Sequence, residues 1–489
     1  MGGWMRVLQV AVLVAALAGR GIAQNGRDTG DPAHAKASSS QRAKAGSSQR
    51  MSPEDAQALE KALAAYDSGR GAAAKTDLER LATTYPRNFP ANEALGILYM
   101  DAGDAAHALA YLNRAAGAEP TNAAAQANLG AAYLDSGNAA AAVGALRRSV
   151  ALDAKNAKTF SNLGHALYLQ KDTLEAAHAF STAVALDPAD TDDLYNGAVA
   201  LYDACRDAEA VSLLQRIPET QRGAAIESLW GDAAERQGHF KEAVEHLQRA
   251  ATLDPSEANT YAIAIELLRH WTWEPATAIT EYGVHQFPES RRLQLAKGIA
   301  YFGSGKYIEA SAIFGALLAV DPDNEDYGSL LGRSCTATGG ATAPQCDSLI
   351  AFAEKHPKNA QTDVSAAVSL LHQPSFEKGD QARQLDQARH LLEEAIASDP
   401  KLPEAYYQLG VLEQQRLEWT ESAASLRKAI ELRPAFAEAH YRLSRAYSHA
   451  GDAELARKEI ALQQQYSQQE KDESNARLKE VTIFLTASH

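Results

Sequence analysis

At 489 residues the chain is longer than one compact core can use; alanine is abundant and aromatics make up only 7%, a balance that favours helices able to approach closely. The whole chain carries −15, with +2 on the first 23 residues and +3 on residues 24–53, which leaves −20 on residues 54–489. So acidic a body argues against nucleic acid as the main partner.

Residues 1–23 read as an export signal. Arg6 gives a positive start, Val7 to Ala18 is an apolar run broken only by Gln9, and Gly21-Ile22-Ala23 offers small residues for cleavage after Ala23. The competing reading, an uncleaved anchor, needs more than twelve apolar residues to cross a bilayer. No Cys follows the run to take a lipid, and no later stretch is apolar enough to span a membrane, so the mature chain is expected without a transmembrane segment. Residues 24–53 repeat Ser-Ser-Gln-Arg with no apolar periodicity and read as a disordered linker.

From residue 54 a period appears. Asn162-Leu163-Gly164, Leu167, Ala176, Phe180 and Asp187-Pro188 are matched 34 residues earlier by Asn128-Leu129-Gly130, Tyr133, Ala142 and Leu146. Related runs surround Gly96, Gly231, Gly298 and Gly410. Each unit makes sense as two antiparallel helices. A small residue such as Gly130 or Gly164 sits at the crossing, with Ala142 or Ala176 as its partner on the facing helix. Gly103, Gly137, Gly238, Gly305 and Gly451 end the first helix, and a proline such as Pro120 or Pro188 follows the second. The units run 55–88, 89–122, 123–156, 157–190, 191–223, 224–257, 258–290, 291–324, 325–359, 360–402, 403–436 and 437–470. Three depart from the pattern: Cys205 replaces a glycine, Trp271-Thr272-Trp273-Glu274-Pro275 replaces a turn, and residues from Gln373 to Asp380 form an insertion. Leu478, Val481 and Leu485 then recur at helical spacing, so 471–489 reads as a helix covering the last apolar face.

These residues resemble the tetratricopeptide repeat family over residues 55 to about 470. The resemblance implies an all-α, right-handed α-solenoid of about twelve helix hairpins (residues 54–470) with a C-terminal capping helix (471–489). With the signal style and the alanine-rich repeats it suits an exported bacterial protein, periplasmic or extracellular.

A search for chemistry returns no catalytic residue and no reason to expect a metal or cofactor. His-Glu-x-x-His, Gly-x-Gly-x-x-Gly and Gly-x-Ser-x-Gly are absent. Gly303-Ser304-Gly305-Lys306 lacks both the earlier glycine of a phosphate loop, where Ala300 stands, and the following hydroxyl, where Tyr307 stands. It reads as an interhelix turn. Cys335 and Cys346 should meet across a hairpin as a disulfide, unless the chain stays in a reducing compartment. Cys205 is left over and is expected to be a buried small apolar residue.

The candidate site is a peptide-binding groove. Asn128, Asn162 and Asn196 recur every 34 residues, and the resemblance places that position near the inner surface, where amides hold an extended backbone. The alternative is hydrogen bonding within the scaffold. His165, Tyr168, Tyr195, Tyr202 and Asp203 should face inward beside them, as should Tyr407 and Tyr441 further on. These rings equally suit packing between repeats. Trp271 and Trp273 mark either a surface contact or a wedge between units. The expected function is a non-catalytic scaffold or adaptor that binds a protein or extended peptide in the cell envelope. The rivals are a substrate-holding subunit of an envelope enzyme complex acting on peptidoglycan or polysaccharide, and a structural role through self-association.

Overall fold

A computed structural model describes residues 51–338, 344–356, 359–372 and 378–486. The expected signal peptide, nearly all of the linker and most of the Gln373–Asp380 insertion lie outside the described residues. Within them the chain forms twenty-four α-helices, two 3-10 turns and no strand.

The chain divides into two units, Gly19–Ala250 and a second that takes in Ala251–His489. The first unit contains the hairpins α1 (Pro53–Asp67) with α2 (Gly71–Thr84), α3 (Phe89–Asp101) with α4 (Ala105–Ala118), and α5 (Ala123–Asp135) with α6 (Ala139–Leu152). It continues with α7 (Ala157–Leu169) and α8 (Thr173–Leu186), α9 (Thr191–Asp203) and α10 (Asp207–Gln215), α11 (Ala224–Arg236) and α12 (Phe240–Leu253), the last helix ending just past the boundary. The second unit holds α13 (Glu257–Arg269) with α14 (Trp273–Gln286), α15 (Arg291–Gly303) with α16 (Tyr307–Val320), and α17 (Glu325–Ala337) with α18 (Ser348–Lys355). Then follow α19 (Ala360–His372) with α20 (Lys378–Ser398), α21 (Pro403–Gln415) with α22 (Trp419–Leu432), and α23 (Ala437–Ala450) with α24 (Ala453–Thr486). The chain is therefore an α-solenoid of helix hairpins, twelve in number. The last helix runs unbroken through residue 470, so no separate element begins at 471.

Local chemistry sets the boundaries. A proline that stops one second helix is followed two residues later by the N-cap of the next first helix: Pro86 and Asn88, Pro120 and Asn122, Pro188 and Asp190, Pro322 and Asn324. Each cap accepts a backbone N–H from the first turn, as Asn88 Oδ1 does from Ala91 at 2.9 Å. Among the described residues, the turn inside a hairpin takes a left-handed residue, supplied by glycine at Gly69, Gly103, Gly137, Gly238, Gly305 and Gly451. Lys171, Cys205, Trp271 and Leu417 hold the same place with positive φ despite their side chains. This corrects the expectation for Cys205, which is exposed because a turn residue in that conformation points its side chain away from the hairpin core.

The hairpin core is built on close approach. A Cβ on Gly130 would lie 2.5 Å from Leu146, one on Gly164 2.9 Å from the Phe180 ring, and one on Gly298 2.5 Å from Phe314. The glycine therefore makes room for a large side chain on the second helix. The small residues expected opposite it (Ala142, Ala176, Ala310) are fully buried nearby, but the space is filled four residues further on. Between hairpins, Tyr99 donates to Glu79 at 2.6 Å, Tyr133 to Asn113 at 3.1 Å and Tyr301 to Glu281 at 2.7 Å. Each tyrosine reaches twenty residues back to the preceding second helix, so one repeat position ties neighbours together at these three hairpins.

Because the Phe180 and Phe314 rings are walled in, Gly164→Ala and Gly298→Ala should each lower stability by about 1–3 kcal/mol. The check is a shifted urea midpoint with an unchanged m-value.

Candidate functional site

Within the first unit the first helices touch one another in sequence (α1 with α3, α3 with α5, α5 with α7, α7 with α9), so they form one layer and the second helices another. The open face of the first-helix layer is the candidate groove. The expected groove residues of this unit all lie on that layer, but at different depths.

The asparagine row is the deeper one. Asn128 is 3% exposed and donates from Nδ2 to Glu93 Oε1 on α3 at 3.3 Å. Asn196 is 7% exposed, and its Oδ1 has no hydrogen-bond partner. Asn162 alone is partly exposed. The row thus looks across the seams between first helices, which makes Asn128 a scaffold tie.

The tyrosines lie nearer the surface. Tyr168 Oη donates to Asp203 Oδ2 at 2.5 Å, joining the end of α7 to the end of α9. Tyr202 lies 3.4 Å beneath the Arg236 guanidinium, which also pairs with Asp207. Both rings, like Tyr195, are half-buried and pack against the core below while keeping an open edge. His165 meets Phe180 edge-on at 5.0 Å. Burial holds its imidazole below the usual range, partly opposed by Asp192 and Asp190. These side chains therefore both pack between repeats and line the open face.

In the second unit, Tyr407 is half-buried against Phe436, with ring centroids 4.8 Å apart, while Tyr441 is 47% exposed. The two tryptophans part company. Trp273 packs its ring over Gly303 at the end of α15, where a Cβ would sit 2.2 Å away, so it wedges between hairpins. Trp271 occupies the left-handed turn position and is 40% exposed, with its ring centroid 6.1 Å from that of Trp273.

Sequence reasoning missed two carboxylates. Asp193, on the first turn of α9, is 3% exposed, and burial pushes it up to about 6 against a hydrogen bond from Ser161. Asp363, on α19, is 2% exposed, also raised to about 6 by burial, and its Oδ2 has no partner. Neither belongs to a motif. The only signal was Asp190 and Asp192 beside Asp193, which reads as ordinary capping at a helix start.

A layered array of helix hairpins with an open first-helix face defines the class: a helical-repeat binding scaffold. Models of the tetratricopeptide repeat match residues 59–123, 93–157, 230–257 and 407–470. The chain thus carries tetratricopeptide repeats over these stretches. Among solved structures it is similar to one titled "Structure of Naa15/Naa10 bound to HypK-THB", at 14% identity over 84% of this chain and 68% of that one, with TM-score 0.38. It is similar also to YrrB, described as a TPR protein with an unusual peptide-binding site, at 19% identity over 37% and 93%, with TM-score 0.35. A third is pilF of Pseudomonas aeruginosa, at 19% identity over 42% of this chain and 94% of that one, with TM-score 0.34. The comparison with curated proteins found no match. Among the described residues, no helix is long and apolar enough to cross a membrane.

A carboxyl raised in the folded state gives its full stabilisation below its unfolded range near 4 and loses it as pH rises through about 6. Asp193→Asn removes that loss. The stability of the variant relative to the parent should therefore rise between about pH 4 and about pH 6 and level off above, read as the difference in Tm.

Proposed function

We propose that the protein is a non-catalytic, exported adaptor that holds an extended segment of a partner protein along the first-helix face. The observation that carries this reading is the run of half-buried Tyr168, Tyr195 and Tyr202 with His165 on adjoining first helices, each combining apolar area with a polar tip. Asn162 adds an amide able to donate and accept at the same level. The sunken Asn128 supports the layer from below.

The export reading draws on the Arg6 to Ala23 signal and on the cysteines. Cys335 at the end of α17 and Cys346 in the turn before α18 are bonded, with Cα atoms 5.8 Å apart. Such a bond persists in an oxidising compartment, where closing a loop this short contributes about 2–3 kcal/mol in the chain-entropy model.

The groove is tested by affinity capture from the protein's own cell envelope, followed by titration of the captured partner. Tyr168→Ala with Tyr202→Ala should weaken binding at least about tenfold. Asn128→Ala should instead lower stability by about 1 kcal/mol with affinity unchanged. Wild-type affinity in the double tyrosine variant would sink the proposal.

Protein isolated from the envelope should begin at Gln24 and resist alkylation at Cys335 and Cys346 until reduced. Soluble protein retaining Met1, with both thiols reactive, would overturn export.

A further inference from the structure

We propose that the Cys335–Cys346 bond is a redox-controlled clasp: closed, it seats the Pro344–Asp347 turn in the second unit, and opened by a dithiol, it parts the stack at the ninth hairpin.

The ninth hairpin is short of helix. Its second helix, α18, has 8 residues, where α14, α16 and α22 have 14. The shortfall amounts to about 9 Å of helix. The 3-10 turn Pro344–Asp347 stands where the first turns of that helix are missing.

The usual helix crossing is missing with them. Elsewhere in this unit the crossing glycine takes a large side chain sixteen residues on, from its own second helix: Phe314 at Gly298 and Leu426 at Gly410. Sixteen residues past Gly332 stands Ser348, small and exposed. A Cβ on Gly332 would instead lie 2.5 Å from the Ser365 hydroxyl of α19, with Leu349 of α18 no nearer than 3.9 Å. The two helices interlock one turn away, where a Cβ on Gly328 would meet the Phe352 ring at 2.3 Å. As a result α17 packs more on α19 than on α18.

The turn nevertheless has a seat. A Cβ on Gly315 of α16 would lie 2.7 Å from the Gln345 Cβ, so the turn presses into the preceding hairpin, and it also touches α19 of the following one. A four-residue turn has little apolar surface with which to offset the entropy of fixing it. Its tether is Cys346, 6% exposed, bonded to Cys335 at the end of α17, 3% exposed. The covalent bond acts where the interlocking side chain of the other hairpins is absent.

Opening is a balanced exchange. A thiolate of the dithiol attacks one sulfur of the bridge, bonds to it and expels the other as a cysteine thiolate. The second thiol of the reagent then displaces the remaining cysteine and closes a disulfide of its own. Two electrons pass to the protein, and Cys335 and Cys346 end as thiols. The turn is left without its tether, and Gln345 is free to leave Gly315.

The test is hydrogen–deuterium exchange on the purified, air-oxidised full chain before and after dithiothreitol. Reduction should speed exchange by about tenfold or more over residues 346–355 and leave residues 54–250 unchanged. Reoxidation should restore the slow exchange. Cys205→Ser should respond as the parent does, which removes the exposed thiol from the reading. Cys335→Ser with Cys346→Ser should exchange as the reduced parent does and ignore dithiothreitol. If that variant does not fold, the reduced and reoxidised parent decides. Equal exchange with the bond open and closed overturns the inference. So does loss of protection along the whole chain, which would make the bond a general staple, and so do two free thiols in the air-oxidised chain. Export is judged separately: if cellular protein retains Met1 while the purified chain opens and closes as described, the export reading falls and the clasp stands.

Discussion

Two helices lie as close as α7 and α8 do only where one of them carries no side chain at the crossing. Gly164 leaves the space that the Phe180 ring occupies, and Gly130 and Gly298 do the same for Leu146 and Phe314. Each hairpin is then a thin, dry sandwich too small to bury both its faces. It stacks on the next because the remaining apolar surface has nowhere else to go. Length follows from repetition of this contact, not from a deepening core.

Stacking creates the first-helix layer. Once the first helices abut, residues 34 apart in sequence become neighbours, and the ends of α7 and α9 are joined through Tyr168 and Asp203. The same adjacency brings Asp193 and Ser161 together. The proposed binding surface and the scaffold are therefore the same side chains viewed from opposite sides. A ring that packs downward against the core offers its edge upward to a partner without a further loss of rotamer freedom, because it is already fixed.

Some positions break the local rules. Four turn residues other than glycine hold positive φ, each at a cost of about 1–2 kcal/mol relative to a relaxed backbone. Lys171, Cys205 and Leu417 direct their side chains outward, and nothing in the structure explains why glycine is not used there. Trp271 differs in that its neighbour Trp273 is wedged over Gly303, so the altered turn serves packing at one residue and exposes the other.

The period made the architecture legible in advance. The prolines, caps and crossing glycines act within one hairpin, and a local rule needs no knowledge of the neighbours. The succession of hairpins and the approach of Cys335 to Cys346 follow from such short-range features. Depth did not follow. Whether an asparagine at the sixth place of a first helix lies open or sunk depends on the preceding first helix: Glu93 meets Asn128, while Asn196 finds no partner for its Oδ1. The buried carboxyl of Asp193 was invisible for the same reason. Its environment is assembled from two turns and two helices spread over some forty residues, and a charge in sequence says nothing about the water that folding removes from it. Sequence determined which residues repeat; only the stacking of one repeat on another decided which of them face solvent and which face each other.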